Sequence, residues 1–414
     1  MDLEIVHEVA CGLDVHFAVL AACLARTGPK GGPRYEERSF PTTQRGLKEL
    51  KGWLSAAGCQ AVGMEATGVY WMPVYAALEG QVQVVVGNPL HMRNLRGHKT
   101  DRKDAKWIAG LVRHGLIRAS FVPPPEFREA RELTRFRRQL IQARSGIRNE
   151  TLRLLARQGI TLSDVLSNVF GASGMAILQA LAEGRSVLEE LPGLVHRSVK
   201  GKLGALTAAL EAVLPRIPRT LLSIQLGRLE EVEQRIGEVE TLVVAQLAPH
   251  QTQIDRLMKV PGLSQTSICI ILAELGVDMT VWPTEKHIAA WAGVAPGSRE
   301  SAGKRMNAAT RKGNTHLTTI LVECAGAAVR KKNCHLSEKF KRLRARLGYK
   351  KALMAIARKL LLIIYRLLGE GREYQEPAPS MADEKAKRRA VEKRVKDLKN
   401  LGFEVSLTPL QPSA

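Results

Sequence analysis

Two aspartates, Asp101 and Asp104, lie three residues apart in the stretch HKTDRKDAKWIAG. A helical plot at about 100° per residue places both on the apolar face of an amphipathic helix. Two carboxylates on a buried face repel each other and are costly to desolvate unless a cation lies between them, so the spacing predicts a metal-binding helix. The opposite face carries Arg102, Lys103, Lys106 and Arg113. The first three of these cations could contact a phosphate backbone.

Two further carboxylates, Asp14 and Glu65, lie in sequence that predicts buried strands. Asp14 interrupts the apolar stretch CGLDVHFAVL, and Glu65 ends a short apolar strand in VGMEATGVYW. Isolated acids in buried strands are rare unless they have a partner. Each acid alone could be a structural carboxylate bonded to backbone amides or to a lysine. Together with Asp101 and Asp104 they predict a site for Mg²⁺ or Mn²⁺, where two ions would clamp the attacking and leaving oxygens of a phosphodiester.

The composition predicts a polyanionic partner. Among 414 residues, 62 Lys and Arg stand against 40 Asp and Glu, a formal net charge of +22. That excess is larger than solubility needs and makes nucleic acid the default partner. No apolar run approaches the ~20 residues that a membrane span requires, and the N-terminus lacks a secretory cleavage signal. The six cysteines form neither a CxxC pair nor a zinc spacing, so we predict a reduced, cytoplasmic protein without a membrane partner.

The order of predicted elements indicates an α/β fold followed by helices. Strand hairpins and then alternating helices and strands fill residues 5–122, as in an α/β domain with a mixed sheet. From Pro125 onward the patterns are helical, with coiled-coil periodicity in the middle and a mainly helical C-terminal part. This order predicts four regions: 1–122, 123–250, 251–372 and a charged tail at 373–414.

The stretch from Pro125 to Gly159 predicts one long helix that is rich in arginine. It carries nine Arg, no Lys and four Glu. Planar guanidinium groups bind phosphates in bidentate geometry, so this helix, including Arg135 and Arg138, is predicted to contact nucleic acid. The alternative is a solvated face whose arginines pair with the helix's own glutamates. Four glutamates would leave most of those arginines unpaired.

A heptad seam follows in LLSIQLGRLEEVEQRIGEVETLVVAQL. Its apolar residues recur at steps of three and four over the main run, at Leu222, Leu229, Val232, Ile236, Val239 and Val243. This periodicity predicts a helical hairpin within the chain or a coiled coil between chains, and the sequence does not decide between them.

The region from Arg299 to Lys359 is the most basic part of the chain, with 17 Lys and Arg against three acids. Within it, Ser301 lies in a basic loop in which Ser298 offers a second hydroxyl. The loop could hold a nucleophile, or it could be without chemistry. Upstream, the hairpin in KVPGLSQTSICIILAELG could present backbone amides to a DNA phosphate, or it could be a tight turn between two core helices.

These segments resemble a known family. GLDVH, MEATGVYW, KTDRKDA, VPGLSQTSICIILAELG and WAGVAPGSRESAGKRMNAATRKGNTHL are similar to the DEDD transposases of insertion-sequence family 110, relatives of the Piv-type DNA invertases. The similarity covers nearly the whole chain. It implies a RuvC-like, RNase H-like N-terminal domain, a coiled-coil connection and a C-terminal transposase domain. It also implies that Asp14, Glu65, Asp101 and Asp104 are the family's four metal-binding acids.

The resemblance further implies a serine nucleophile. Pro296 is followed by four residues and then Ser301, as in the family pattern, although many relatives have Gly where this chain has Ala302. A serine that attacks phosphorus would form a covalent phosphoseryl-DNA intermediate, which keeps the bond energy for rejoining. Cations close in sequence would stabilise the developing charge: Arg299, Lys304, Arg305, Arg311 and Lys312.

The same resemblance implies the partners. The family's members are similar to recombinases guided by a structured non-coding bridge RNA, so target DNA, donor DNA and such an RNA are expected, in the bacterial nucleoid. Paired strand exchange and the heptad seam favour a homodimer or homotetramer. Two rival interpretations stay open: a metal-only nuclease, similar to a Holliday-junction resolvase, in which water attacks, and a non-catalytic nucleic-acid-binding scaffold.

Overall fold

The computed structural model describes residues 4–29, 31–92, 101–297, 300–301, 304–305, 313–332, 334–377, 391–392 and 394–407, with the side chains of residues 90, 101–103, 300–301 and 304–305 left out. The chain forms two compact units, Met1–Val122 and Pro123–Ala414. Within the described ranges, no helix is long and apolar enough to cross a membrane. The predicted division into four regions stays a prediction.

The first unit is built on a five-stranded mixed sheet. Its strands are β1 (Val9–Val15), β2 (Val19–Thr27), β3 (Pro33–Pro41), β4 (Ala61–Glu65) and β5 (Gln83–Gly87). Their order across the sheet is β3-β2-β1-β4-β5. β1 pairs antiparallel with β2 and parallel with β4, and β4 is parallel to β5. The carboxyl ends of β1, β4 and β5 therefore meet at one end of the sheet.

Helices cover both faces of this sheet. They are α1 (Gln44–Ala56), α2 (Trp71–Leu78), α3 (Pro89–Met92) and α4 (Asp101–Arg113). On one face, Leu13 and Met64 of the central strands pack with apolar residues of α1 and α2. On the other face, Ala10 and Ala61 pack with Ile108 of α4. The two sets alternate along β1 and β4, as side chains do along any strand.

The second unit is mainly helical. Its helices are α5 (Pro125–Ala156), α6 (Leu162–Val165), α7 (Ala172–Glu183), α8 (Val187–Leu194), α9 (Leu203–Ala209), α10 (Arg216–Gln246), α11 (Gln251–Met258), α12 (Gln265–Leu275), α13 (Glu285–Trp291), α14 (Thr315–Ala328), α15 (His335–Leu347) and α16 (Tyr349–Glu370). Two short 3-10 helices, Arg197–Lys202 and Ala248–His250, and a hairpin of β6 (Glu300–Ser301) and β7 (Lys304–Arg305) complete it. The apolar stretch that begins at Leu360 lies in α16, where Leu360, Leu361 and Ile364 are fully buried.

The two longest helices, α5 and α10, pack antiparallel. Near the start of α5, Glu129 accepts from Gln246 at the end of α10 (2.8 Å), and further along, Glu150 accepts from Gln225 (3.2 Å). The heptad positions of α10 that are buried are Leu222, Leu229, Ile236, Val239 and Val243. The seam therefore packs within the chain, which answers the question that the sequence left open.

Candidate active site

Asp14 and Glu65 lie side by side at the carboxyl ends of β1 and β4. The strands are parallel with Leu13 opposite Met64, so the next residue of each strand is one of these two acids. Because side chains alternate along a strand, both acids point to the face opposite Leu13 and Met64, which is the face that α4 covers. Both are partly buried, with 22% of the Asp14 side chain exposed.

Two glycines let α4 approach this face closely. Gly12 and Gly63 are paired across β1 and β4. A Cβ atom on Gly12 would lie 2.1 Å from the Ala105 carbonyl oxygen and 2.3 Å from the Ala109 amide nitrogen. The backbone of α4 therefore rests directly on β1, two residues before Asp14, with no side chain between them.

The direction of α4 brings its N-terminus to the acidic end of the sheet. At the other end of the helix, the Arg113 carbonyl accepts from Val6 N at 2.9 Å, just before β1 begins. α4 is thus antiparallel to β1. Asp104 precedes Ala105, which rests on β1, and so lies on the side of Asp14; its side chain is partly buried.

The structure describes the side chains of three of the four predicted metal ligands. The structure brings Asp14, Glu65 and Asp104 to one face and one end of the sheet. Asp101 is the first residue of α4, but its side chain lies outside the described part of the chain. Among the side chains that the structure describes, no three His, Cys, Asp or Glu are grouped closely enough to hold a metal ion. The chemistry of the donors, all carboxylate oxygens, fits Mg²⁺ or Mn²⁺.

Arg113 is not on the solvent face of α4, where the helical plot put it. It is 3% exposed, and its Nη2 donates to Thr27 Oγ1 at 2.6 Å. That prediction was wrong because the last turn of α4 ends against the end of β2, which supplies a hydroxyl acceptor to the buried guanidinium.

Lys106 is exposed, and its Nζ lies 4.3 Å from the centre of the Tyr35 ring. The face of an aromatic ring attracts a cation, and the exposed Lys106 ammonium remains accessible to solvent. Binding of a phosphate by Lys106 stays a prediction. The side chains of Arg102 and Lys103 lie outside the described residues.

His16 is a polar neighbour of the acids that sequence reasoning missed. Its Nε2 lies 3.0 Å from Asp14 Oδ2, and its side chain is 64% exposed. The spacing of two residues in LDVH, which puts both side chains on one face of an extended chain, is the signal that could have found it. A hydrogen bond to a carboxylate oxygen orients that carboxylate for ligation.

Ser301 belongs to the second unit, where it lies in the short β6–β7 hairpin. The two strands pair antiparallel, with Glu300 opposite Arg305 and Ser301 opposite Lys304. The backbone register thus puts the serine next to a lysine position. Outside the described residues lie the side chains of this hairpin and the whole of Ser298, Arg299, Arg311 and Lys312. The roles predicted for these residues stay predictions.

The two ends of the segment that carries Ser301 lie against each other, at Trp291 and Gly293 on one side and at Gly313 and Asn314 on the other. Asn314 N donates to the Trp291 carbonyl at 3.1 Å. Gly313 lies so close to the other end of the segment that an added Cβ would be 2.3 Å from Gly293 N. Asn314 also caps α14, because its Oδ1 accepts from two amides of the first turn, both at 3.1 Å.

A buried carboxylate holds this point in place. Glu274 of α12 is 0% exposed and accepts from Asn314 Nδ2 (2.6 Å) and Arg135 Nε (2.9 Å), and Arg131 Nε lies 3.1 Å from its Oε2. Burial by itself raises the pKa of Glu274, but the hydrogen bond from Arg135 and the charges of both arginines outweigh it and bring the pKa below its usual range. Glu274 therefore links α5, α12 and the cap of α14 as a charged group. Sequence reasoning missed it, although an isolated acid in the apolar stretch SICIILAELG is the same signal that marked Asp14.

Five of the nine arginines of the α5 stretch pair with glutamates of other helices. Besides Arg131 and Arg135, Arg137 donates to Glu240 of α10 at 2.7 Å, and Glu233 of α10 accepts from two more arginines at 3.0 and 2.9 Å. The premise that most of the arginines lack a partner was wrong, because it counted only the helix's own glutamates. The Arg135 guanidinium is bonded to Glu274, and its binding to nucleic acid stays a prediction.

Arg138 lines a cleft of about 770 Å³ between α5, α12 and α14. Its Nη1 lies 3.4 Å from His316 Nδ1 in the first turn of α14. Burial and the charges of Arg135 and Arg138 lower the pKa of His316, so the ring is neutral at pH 7. Neutral histidine and an arginine in an open cleft can both donate to an anion, and the predicted nucleic-acid contact of Arg138 is not tested by this geometry.

The hairpin between α11 and α12 is a tight turn packed on α14. Gly262 has φ +86°, and a Cβ there would lie 2.5 Å from the Cys324 carbonyl oxygen. Pro261 is buried. The structure shows the turn between core helices; a phosphate contact of its amides stays a prediction.

Comparison with known proteins assigns both units. The family model of IS110-type DEDD transposases matches residues 11–158, and the model described as Transposase IS116/IS110/IS902 family matches residues 254–341. The chain belongs to the IS110 family of transposases. This IS110-family transposase is 26% identical over 273 residues to the probable family 20 transposase of Pseudomonas aeruginosa, covering 65% of the chain and 71% of that protein. It is 25% identical over 325 residues to the transposase for insertion sequence element IS1111A of Coxiella burnetii, covering 77% and 79%.

Proposed function

We propose that this transposase cuts and rejoins DNA strands, with Asp14, Glu65, Asp101 and Asp104 as a divalent-metal site and Ser301 as the nucleophile. The observation that carries the proposal is the placement of Asp14, Glu65 and Asp104 on one face and at one end of the sheet. The sheet order, three antiparallel strands followed by two parallel ones, supports the RuvC-like, RNase H-like arrangement that the sequence resemblance implies.

Each group has a chemical role in this proposal. Bound Mg²⁺ or Mn²⁺ would supply Lewis-acid stabilisation of charge on the phosphodiester. The carboxylates would hold the metal, and the hydrogen bond between His16 and Asp14 orients the Asp14 carboxylate for that role. The bond between Ser301 Oγ and phosphorus forms as the bond from phosphorus to the leaving sugar oxygen breaks; the serine proton is lost to solvent, and the leaving oxygen takes up a proton. A hydroxyl of the incoming strand then reverses these steps and releases the serine.

The cations near Ser301 in sequence would stabilise the negative charge that develops on the transferred phosphate. We assign this role to Arg299, Lys304, Arg305, Arg311 and Lys312. Cations placed where charge develops lower the barrier more than cations that bind substrate and transition state equally.

A protein–DNA adduct tests the proposal. The transposase is incubated with Mg²⁺, DNA that contains the ends of its element and RNA transcribed from the element's non-coding flank, and is then denatured. We expect a covalent adduct that maps to Ser301, that is absent in Ser301→Ala and that persists in the matched control Ser298→Ala. Asp104→Asn and removal of Mg²⁺ should each prevent it.

The rival functions give different results in the same experiment. Normal cutting and rejoining by Ser301→Ala would show a metal-only nuclease. Unchanged activity in Asp104→Asn, together with indifference to Mg²⁺, would show a scaffold without a metal-dependent reaction.

We also infer a structured guide RNA, target and donor DNA, and a homodimer or homotetramer as partners. The net charge of +22 supports nucleic acid, and paired strand exchange supports more than one subunit. The heptad seam of α10 is used within the chain, so association would need another surface. Copurifying RNA, its effect on adduct yield, and the mass in solution by light scattering test these inferences. In this scheme residues 1–122 bind metal, 123–250 connect, 251–372 carry the serine and 373–414 form a charged tail.

A further inference from the structure

Exposed aromatic side chains lie at the acidic end of the first unit's sheet. Phe17 is 78% exposed and Tyr70 is 42% exposed, and their ring centres are 5.9 Å apart in an edge-to-face arrangement. Val69 and Met72, on either side of Tyr70 in the chain, are 63% and 39% exposed. Single exposed apolar residues are ordinary on protein surfaces, but a contiguous group is not.

Backbone hydrogen bonds hold the turn that carries Phe17 in place. Phe17 lies in the turn between β1 and β2, which is closed by a hydrogen bond from His16 N to Val19 O at 3.1 Å. Thr42 fixes the same turn, because its Oγ1 donates to the His16 carbonyl at 3.1 Å and its amide donates to Ala18 O at 3.0 Å. A ring on a fixed turn loses little entropy when a planar ligand stacks on it.

The pair joins the two loops that follow the catalytic strands. Phe17 comes three residues after Asp14, a span of at most about 10 Å of extended chain. Tyr70 lies in the loop that leaves β4 after Glu65. At 3.4 Å per nucleotide of a stacked strand, about 10 Å corresponds to roughly three nucleotides. A strand whose phosphate is held at the carboxylates therefore reaches the rings with a base close to the cut.

We propose that Phe17 and Tyr70 form a stacking platform for an unpaired base of the DNA strand that is cut next to Asp14 and Glu65. This inference rests on the proposed function in that DNA is the substrate and is held at the carboxylates; it does not rest on Ser301. Every base has a π-face, so aromatic stacking holds a base without reading its identity. Stacking on the rings would hold an unpaired base beside the carboxylates and so fix the position of the neighbouring phosphodiester.

The size of the patch favours a base over a protein partner. A stable protein interface buries about 800 Å² on each side, far more than four side chains provide. One base covers one or two rings. The alternative occupant, a second copy of this chain, is an outcome of the test below.

The test uses single-stranded oligonucleotides that carry one 2-aminopurine, bound to full-length transposase with Ca²⁺ in place of Mg²⁺, so that a divalent cation can still join the carboxylates to a phosphate while cutting is suppressed. We expect the fluorescence of 2-aminopurine to be quenched at one position near the cut, and affinity to fall about 5- to 150-fold in Phe17→Leu or Tyr70→Leu. Phe17→Trp should retain both the quenching and the affinity, because tryptophan also stacks on a base. The slope of affinity against salt should not change, because no phosphate contact is lost. A DNA oligonucleotide should bind at this position more tightly than an RNA oligonucleotide of the same sequence.

Matched controls separate stacking from other effects. Tyr349, 52% exposed and edge-to-face with Phe340, offers a similar pair in the second unit, and Tyr349→Leu should leave the quenching unchanged. An abasic site at the quenched position should lower the affinity of the wild-type protein for the oligonucleotide and should not change the affinity of Phe17→Leu. Equal affinity for the abasic and intact strands, tighter binding of RNA at this position, or a changed mass in solution with unchanged affinity would overturn the proposal. Because the assay measures binding, its result is independent of whether Ser301 forms an adduct.

Discussion

Gly12→Ala is the substitution that most directly tests how α4 positions Asp104. The added Cβ would lie 2.1 Å from the Ala105 carbonyl oxygen, whereas ordinary contacts begin near 3.4 Å. The opposing atoms are backbone, so no side-chain rotation can relieve the clash. α4 must move away from β1 by about 1 Å, since a contact of this kind has to open to van der Waals distance.

Two effects of that shift can be given magnitudes. Overpacking of a well-packed core costs about 1–3 kcal/mol, and a backbone obstacle puts Gly12→Ala at the upper end of that range. Moving a catalytic group by about 1 Å can cost on the order of 100-fold in rate. We therefore expect faster opening of α4 and an adduct rate on Ser301 that is lower by about 100-fold.

Gly110→Ala is the matched control on the same helix. Nothing lies within 4 Å of a Cβ added at Gly110. Alanine in a helix interior is more stable than glycine by about 0.5–1 kcal/mol, so this variant should strengthen α4 and keep full activity.

Amide hydrogen exchange of α4 in the full-length protein measures the local free energy of opening, and the adduct assay measures the rate. The two variants should change exchange in opposite directions. Wild-type exchange and wild-type adduct formation in Gly12→Ala would refute the close backbone contact and the placement of Asp104 that follows from it.

Three further outcomes are expected. Asp104→Asn should abolish adduct formation, because an uncharged amide oxygen is a poorer ligand for Mg²⁺ than a carboxylate, while the melting temperature should change little because the two side chains have the same shape; a large loss of stability would mean that the acid serves the fold. Because the folded pKa of Glu274 lies below its usual range, its contribution to stability is complete above the ordinary glutamate pKa of about 4.3 and is lost as the pH falls through the folded value. Melting temperature against pH should show this acid limb, and Glu274→Gln should flatten it; parallel curves would contradict the assignment. Gly262→Ala should destabilise the second unit by about 1–3 kcal/mol, since both φ +86° and the Cys324 carbonyl oppose a side chain. Gly326→Ala should not, because its Cβ would meet only the Arg330 guanidinium at 4.0 Å, and urea unfolding would show the difference.

The sequence predicted the elements around the acids because their patterns are local. The apolar stripe behind Asp104 reports burial on one face, and it was found as α4. The stretch CGLDVHFAVL does contain strands, but Asp14 lies near the end of β1 and not in the middle of one strand, because the chain turns between Val15 and Val19. The heptad of α10 predicted a seam correctly but not its partner. Periodicity records which residues are buried and not what buries them, so only the structure identified α5.

Pairing between distant helices accounts for what sequence reasoning missed. Glu274 lies about 140 residues from Arg135, and the two meet through tertiary packing alone. The same cause explains the misjudged arginines of α5, whose glutamates come from α10. Arg113 was misplaced because a helical plot cannot know that the last turn ends at Thr27.

The two ends of the segment that carries Ser301 meet where Gly313 packs against Gly293, and this has a consequence for how such transposases can vary. Closing a loop costs free energy that grows only with the logarithm of its length, about 0.6 kcal/mol for each doubling. Val294 is buried and the amides of residues 294 and 295 bond to Ala289, so the fixed part of the chain includes these two residues. Since Asn314 and Glu274 fix the other end, residues 296–312 can lengthen, shorten or be exchanged with little effect on the helices below. The segment that carries Ser301 can therefore change in sequence and length among relatives, with new chemistry and contacts, while the helical core stays the same.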